Sequence, residues 1–247
     1  MRVLAIETAT PVAGVAVVDH AGVVALRALR APKRHLEWLA AAIDGVLGDA
    51  GVGPDGVEGV AVGCGPGGFT GLRIGIATAT AWARARGVPV LGVGTLETLA
   101  GSTGGAGFIL PVLDAYRGEI AAALYRLGPE PEPVCLIPAV VAQPAAAVAE
   151  MRAVLEAQGV AHQPLVVAGD GLSRYAPALV AALAEAGIRR VIQRPDAYPS
   201  AETAGRLARP RLLRGAGDDG TGLLPAYGRR PEARPWQETP TPPGSER

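Results

Sequence analysis

The sequence predicts an α/β fold built twice over, each half reading strand, strand, strand, helix, strand, helix. Three observations carry that prediction. Short Val- and Ala-rich runs bounded by turn residues alternate with stretches whose apolar residues recur at three-and-four spacing. The order of these runs repeats at a period of about a hundred residues. Matching places in the two halves also look alike: "VLAIETAT" answers to "PVLDAYRG", and "VAVGCGPGGFTGLR" to "VVAGDGLSRYAPAL".

Taken in order, "RVLAIE", "VAGVAVVD" and "GVVALRALRA" form a three-strand meander, the first two runs separated by "TATP", a polar turn ending in proline. "PKRHLEWLAAAIDGVLGDAG" sets Leu36, Leu39, Ile43, Val46 and Leu47 on one helical face, with Pro32 near the start and Gly51 past the end, so a helix is expected over about Pro32 to Gly48. A strand ("GVEGVAVG"), a glycine-rich turn, a second helix over about Gly71 to Arg86, a strand ("VPVLGV") and a short helix ("TLETLA") complete the first half. In the second half, "FILPVLDAYRGEIAAALYRL" supplies two strands and "EPVCLIPAVV" a third. "PAAAVAEMRAVLEAQG" is a helix, "PLVVAGDG" a strand and "LSRYAPALVAALAEAG" another helix. The expected lobes are residues 1–103 and 104–228, followed by a tail, 229–247, whose five prolines in nineteen residues leave it unable to bury much and disordered past about Trp236.

Lys plus Arg and Asp plus Glu number 23 each, so no overall field draws the chain to nucleic acid or to an anionic membrane. Cys64 and Cys135 stand far apart and outside any CxxC pair, as reduced cytoplasmic thiols do. The N-terminal run is broken by Glu7 and Pro11 and fits neither a signal peptide nor a membrane span, so a soluble cytoplasmic protein is expected. Arg206, Arg209, Arg211 and Arg214 recur at roughly helical spacing, with Arg229, Arg230 and Arg234 beyond them; they read either as a solvated helix face or as a supplementary phosphate contact.

The stretch "GCGPGGFTGLRIG" follows a strand and precedes a helix, where phosphate loops sit. It is no Walker A loop, because no lysine occurs after Lys33. As a dinucleotide fingerprint it follows the wrong strand, and no acidic residue ends a strand about twenty residues on. The remaining reading is structural: Gly65, Gly67 and Gly68 give the backbone freedom and Thr70 caps the helix. In that helix Arg73 is the only charge between Gly71 and Ala83 and apolar residues fall on every side, so it is expected to be buried all round. Small residues Gly75, Ala77, Ala79 and Ala81 allow close approach, either at the centre of its own domain or across a subunit interface. His20, His35 and His162 are too scattered for a metal site, and none of Ser102, Ser173, Ser200 and Ser245 lies in GxSxG.

The duplicated order resembles the actin-like ATPase superfamily, the ASKHA fold of sugar kinases, Hsp70 and actin. In its nucleotide-binding members the first hairpin carries an acidic residue and hydroxyl residues that meet phosphate and magnesium. "IETAT" retains Glu7, Thr8 and Thr10, and Asp114 stands in the equivalent place of the second half. These four either hold a hydrated metal and nucleotide, as in an ATPase or kinase, or are vestigial and satisfied by turn amides.

"MRVLAIETAT", "GCGPGGFTGLRIGIATATAWA", "GVGTLETLA", "VLDAYRGEIAAALY", "YPSAET" and "LLPAYGRRPEA" together resemble the TsaB (YeaZ) family up to about Arg234, most specifically around Gly65 to Gly75. That resemblance implies a non-catalytic subunit, without cofactor or metal of its own, of the bacterial machinery that installs threonylcarbamoyl on the adenosine beside the anticodon of tRNA. Its implied partners are the paralogue TsaD, which carries an HxxxH metal site missing here, and the ATPase TsaE. Alone it is implied to form a homodimer; it meets tRNA only within the complex, and no membrane. The implied interface is the first-lobe helix pair: His35, Leu36, Leu39 and Ile43 on the first helix, Gly67, Gly68, Phe69 and Thr70 at the turn, and Leu72, Arg73, Ile76, Ala79 and Ala83 on the second. Three departures from the family pattern are Gly68 in place of serine, Gly228 in place of leucine, and Glu7 where many members have Asp.

Overall fold

The computed structural model describes residues 1–30, 35–129 and 132–226, with the side chains of His35 and Leu36 outside that description. The expected tail, Gly228 and Arg229, Arg230 and Arg234 also lie outside the described residues. The first half holds β1 (Val3–Glu7), β2 (Val12–Asp19), β3 (Gly22–Arg30), α1 (His35–Asp49), β4 (Gly59–Gly65), α2 (Phe69–Arg86), β5 (Val90–Gly94) and α3 (Thr95–Ser102). The second holds β6 (Gly107–Asp114), β7 (Ile120–Leu127), β8 (Val134–Ala142), α4 (Pro144–Ala157), β9 (Leu165–Ala168), α5 (Leu172–Glu185), β10 (Val191–Arg194) and α6 (Ala201–Leu213).

The ten strands form two five-stranded sheets with one plan: β3-β2-β1-β4-β5, and β8-β7-β6-β9-β10. In each, the first strand runs antiparallel to its hairpin partner and parallel to the strand after the first helix. This is the actin-like architecture that the duplicated order predicts. β1 is buried along its whole length, as a central strand covered on both faces must be, and its register pairs Ala5 with Ala16 on one side and Ala61 on the other.

Cover for the two sheets is exchanged. α1 and α2 pack on one face of the first sheet through Leu39, Ile43, Val46, Ile76 and Ala79, against Leu4, Ile6 and Val62. The other face is covered by α6, through Ala201, Leu207, Ala208 and Leu212 against Val3, Ala5, Ala16 and Val18. In the second half, α4 and α5 cover one face, while the opposite face meets Leu96, Leu99 and Ala100 of α3. α6 approaches closely because Gly205 leaves room: a Cβ there would come 2.7 Å from Val18 Cγ2. The helix starts at Ser200, whose side chain accepts a hydrogen bond from Thr203 N at 3.1 Å.

Two expectations about α2 need correction. Its N-cap is Gly68, with no side-chain cap, so Thr70 stands inside the helix and does not cap it. The helix is also not buried all round. Gly71, Leu72, Gly75, Ile76, Ala79 and Ala83 form a buried stripe on the sheet, while Phe69, Arg73, Ala77 and Ala81 are exposed. The even spread of alanine hid that direction, because alanine is compatible with either side.

The regularly spaced arginines of α6 are mostly engaged within the chain. Arg211 makes paired bonds to Glu97 of α3 and bonds Glu132, before β8, at 2.8 and 3.0 Å. Arg209 Nε donates to Met1 O at 3.0 Å, and Arg214 reaches Glu132 at 3.0 Å. Ser102 Oγ accepts from Ser200 N at 3.1 Å, a further tie between the ends of the exchanged helices. No helix among the described residues is long and apolar enough to cross a membrane. Arg211→Met strands two carboxylates that are only 16% and 32% exposed, so a loss of about 1–2 kcal/mol is expected, less than for a fully buried pair. Calorimetry should show the midpoint falling by roughly 2–8 °C.

Candidate functional site

The turn after β1, the glycine loop and the start of α2 make one wall of a cleft of about 390 Å³; Leu113, Asp114, Tyr116 and Asp170 of the other half make the opposite wall. It lies beyond the carboxyl ends of central parallel strands, where ligands of α/β sheets gather. Thr8, Thr10 and Asp114 all border it, as do Gly67, Gly68, Phe69 and Thr70.

The chemistry of this cleft is turned inward. Thr8 Oγ1 donates to Gly71 O at 2.8 Å, and Thr10 Oγ1 to Val12 O at 3.2 Å, so both hydroxyls serve backbone carbonyls. The Gly68 amide donates to Ala9 O at 2.8 Å, and a Cβ on Gly67 would come 2.5 Å from that same oxygen. The glycine loop is thus closed onto the first hairpin. Glu7 is buried and does not border the cleft; its carboxylate lies over Gly63, where any Cβ would collide with it. Oε1 accepts from Ala9 N at 2.8 Å, while Oε2 has no hydrogen-bond partner among the described residues. Burial pushes the Glu7 carboxyl up to about 7, and burial, helped by the Glu7 charge, pushes the neighbouring Cys64 thiol up to about 11.

Asp114 faces the cleft at the end of β6. Its Oδ1 accepts from Tyr116 N at 2.7 Å and Tyr175 Oη at 3.2 Å, within a hairpin tip where Tyr116 and Arg117 adopt left-handed φ of 61° and 54°. Asp170 was missed in the sequence. It accepts from Asp114 N at 3.1 Å, and burial, with the Asp114 charge adding to it, raises its pKa. The only signal for it was the "AGDG" turn, which the half-chain alignment had already set opposite the glycine loop.

The first wall does not fit a nucleotide's phosphates: the hydroxyls and the Gly68 amide that would meet them are bonded within the chain, and Glu7 points away. No group of three or more His, Cys, Asp or Glu suited to a metal ion occurs among the described residues. The Ser102 and Ser200 hydroxyls are bonded to Thr98 O, Thr203 and each other, which leaves neither as a nucleophile paired with a histidine.

The second feature is an open groove between α1 and α2, lined by Ala40, Ile43, Asp44, Ala77, Thr78, Ala81 and Trp82. The expected interface residues divide about it. Leu39, Leu72, Ile76, Ala79 and Ala83 are buried on the sheet of their own lobe and offer no surface; Ile43 forms part of the groove floor. Phe69 is 54% exposed, with the Arg73 guanidinium stacked 3.9 Å from its ring centre. The outward positions are Ala77 and Ala81, noted in the sequence only as small residues that permit close approach.

Glu7 gives a test by pH. Its pKa is raised from an ordinary 4.5 to about 7, so the stability it contributes is complete below about 4.5 and is lost as pH rises through about 7. That interval is worth roughly 3 kcal/mol at most. Thermal melts should show Glu7→Gln outlasting the wild type at pH 8 and the difference closing by pH 5; parallel curves would refute the buried, proton-holding carboxyl.

Comparison with known proteins bears on the whole arrangement. Residues 22–216 match the family model described as TsaD: tRNA N6-adenosine threonylcarbamoyltransferase. The chain is 36% identical over 129 residues to a protein of Escherichia coli described as tRNA threonylcarbamoyladenosine biosynthesis protein TsaB, covering 51% of this chain and 55% of that one. A Bacillus subtilis protein of the same description is 33% identical over 127 residues, covering 51% of this chain and 56% of that one. These matches span little more than half the length of the relatives. The solved structure of YeaZ from Pseudomonas aeruginosa superposes with a TM-score of 0.74 at 28% identity, covering 92% of this chain and 99% of that one. With most of its length matched by one model, the chain belongs to the TsaD family, and its likeness within that family is to the TsaB (YeaZ) proteins.

Proposed function

We propose that this chain is a non-catalytic partner subunit that pairs with a TsaD-type paralogue, the pair forming threonylcarbamoyladenosine next to the anticodon of tRNA. The observation that carries this reading is the contrast between the two candidate surfaces. The cleft that would hold nucleotide has its polar groups bonded within the chain, while the α1/α2 groove presents small and apolar side chains outward. Small residues let a second helix pair approach closely, and half-buried Trp82 supplies apolar area to bury. The likeness to the Escherichia coli and Bacillus subtilis tRNA threonylcarbamoyladenosine biosynthesis proteins supports the tRNA modification.

In this reading the HxxxH metal site and the transfer chemistry belong to the paralogue, and the ATPase TsaE joins the assembled pair. Cytoplasmic tRNA is met only within that assembly. Without the paralogue, the same groove would be covered by a second copy of this chain. The ATPase or kinase reading built on Glu7 and Asp114 draws no support from the cleft, where the two carboxyls do not face one common space.

Ala81→Arg and Ala77→Arg should abolish co-purification with the paralogue and weaken affinity at least a hundredfold, with melting midpoints moved by no more than about 2 °C because both sites are exposed. Wild-type pairing by both variants would sink the groove as the docking face. Titration calorimetry of the chain alone with Mg-ATP should give no micromolar binding; a micromolar isotherm lost in Glu7→Ala would restore the enzyme reading.

A further inference from the structure

We infer that Asp218–Ala226 is a releasable strap that fixes the glycine loop, and through it the first turn of α2. After α6 the chain returns to the first lobe. Asp218 and Val90 exchange backbone hydrogen bonds of 2.9 and 3.2 Å, covering the outer edge of β5, the end strand of its sheet. Arg84 Nε, near the end of α2, donates to Asp219 O at 3.2 Å. Gly220 sits against Thr80 of α2, whose buried hydroxyl has no hydrogen-bond partner among the described residues. Leu223 then lies where a Cβ of Gly92 would fall, beside Cys64. Ala226 meets the glycine loop itself: Ala226 N donates to Cys64 O at 2.7 Å, and Ala226 O occupies the space of a missing Cβ at Gly65, whose φ is +113°.

Besides the β4–β5 pairing, three hydrogen bonds among the described residues fix the loop backbone ahead of α2. Ala9 O accepts from Gly68 N, Thr95 Oγ1 accepts from Gly65 N at 3.1 Å, and Ala226 N of the strap donates to Cys64 O. The first partner lies in the turn between β1 and β2, and the second opens α3. The third is a mostly exposed run with no helix or strand of its own, fastened by a few hydrogen bonds and one half-buried leucine. Such a segment opens at a lower free energy than the sheet beneath it. Its release frees the Cys64 carbonyl, uncovers the Cys64 side chain and loosens the entrance to α2. If α2 is the docking helix, which rests on the function proposed above, partner binding and strap closure favour each other, and the coupling is reciprocal.

The test uses the full chain with Cys135→Ser, leaving Cys64 as its single thiol. Leu223→Asp removes the apolar anchor, Ala226→Pro removes the N–H that bonds Cys64 O, and Leu213→Asp is an exposed control outside the strap. Both strap variants should speed labelling of Cys64 by Ellman's reagent at least tenfold and hydrogen exchange at residues 68–72 by a similar factor, with the control unchanged. Faster labelling without faster loop exchange makes the strap a mere cover and overturns the proposal, as do unchanged rates in both variants. In the wild type, which needs no substitution to fold differently, the amides of Ala226 and Gly68 should exchange together and well ahead of those of β1; exchange of Ala226 only in step with β1 also overturns it. Adding the paralogue should slow Cys64 labelling. Pairing that leaves the rate unchanged removes the coupling, whereas failure to pair counts against the proposed function and leaves the loop exchange to decide the strap.

Discussion

A sheet with buried central strands must be covered on both faces, and here neither half of the chain covers its own sheet completely. α1 and α2 serve one face of the first sheet, but its other face waits for α6, more than a hundred residues later in sequence. The second sheet in turn depends on α3. The constraint explains several local choices. Gly205 is bare because α6 must lie close on Val18 and Ala5, and Arg211 sits where it can bond a glutamate of α3 and another before β8. The relative setting of the two lobes then rests on this packing and on paired charge.

That setting also gives the interlobe cleft its character. The first hairpin and the glycine loop could each offer hydroxyls and amides to a phosphate. Here those groups bond one another: Thr8 to Gly71, Gly68 to Ala9. Glu7 faces the interior beneath Gly63, where burial pushes its carboxyl up to about 7. The Thr8 and Gly68 bonds tie the first hairpin to the entrance of α2, whose outward positions Ala77 and Ala81 are small and exposed.

Most of the strand and helix order was legible because each run obeys a clear period. β1 and β2 are short and β-branched between turn residues, and α1 repeats Leu39, Ile43, Val46 at helical spacing. β10 and α6 were not laid out. β10 has four residues, mostly exposed, and α6 mixes arginine with alanine so that its buried side carries little contrast. The helical spacing of its arginines was visible; the glutamates that would claim them, Glu97 and Glu132, lie far off in sequence and carried no local mark. The same limit applies to the site. Glycine-rich turns announce close backbone approach, but not what approaches, and nothing local tells that Glu7 turns inward or that Asp170 comes to lie beside Asp114.

The exchange of α3 and α6 has a consequence for biogenesis. While the polypeptide emerges from the ribosome, the face of the first sheet bearing Val3, Ala5, Ala16 and Val18 stays bare until Leu212 is out, more than a hundred residues after the last strand of that sheet. An N-terminal fragment ending at Ser102 would carry that oily face permanently, together with a helix made to cover a sheet it does not contain. Each half made alone exposes apolar surface that the other half covers, the kind of surface through which folding intermediates aggregate.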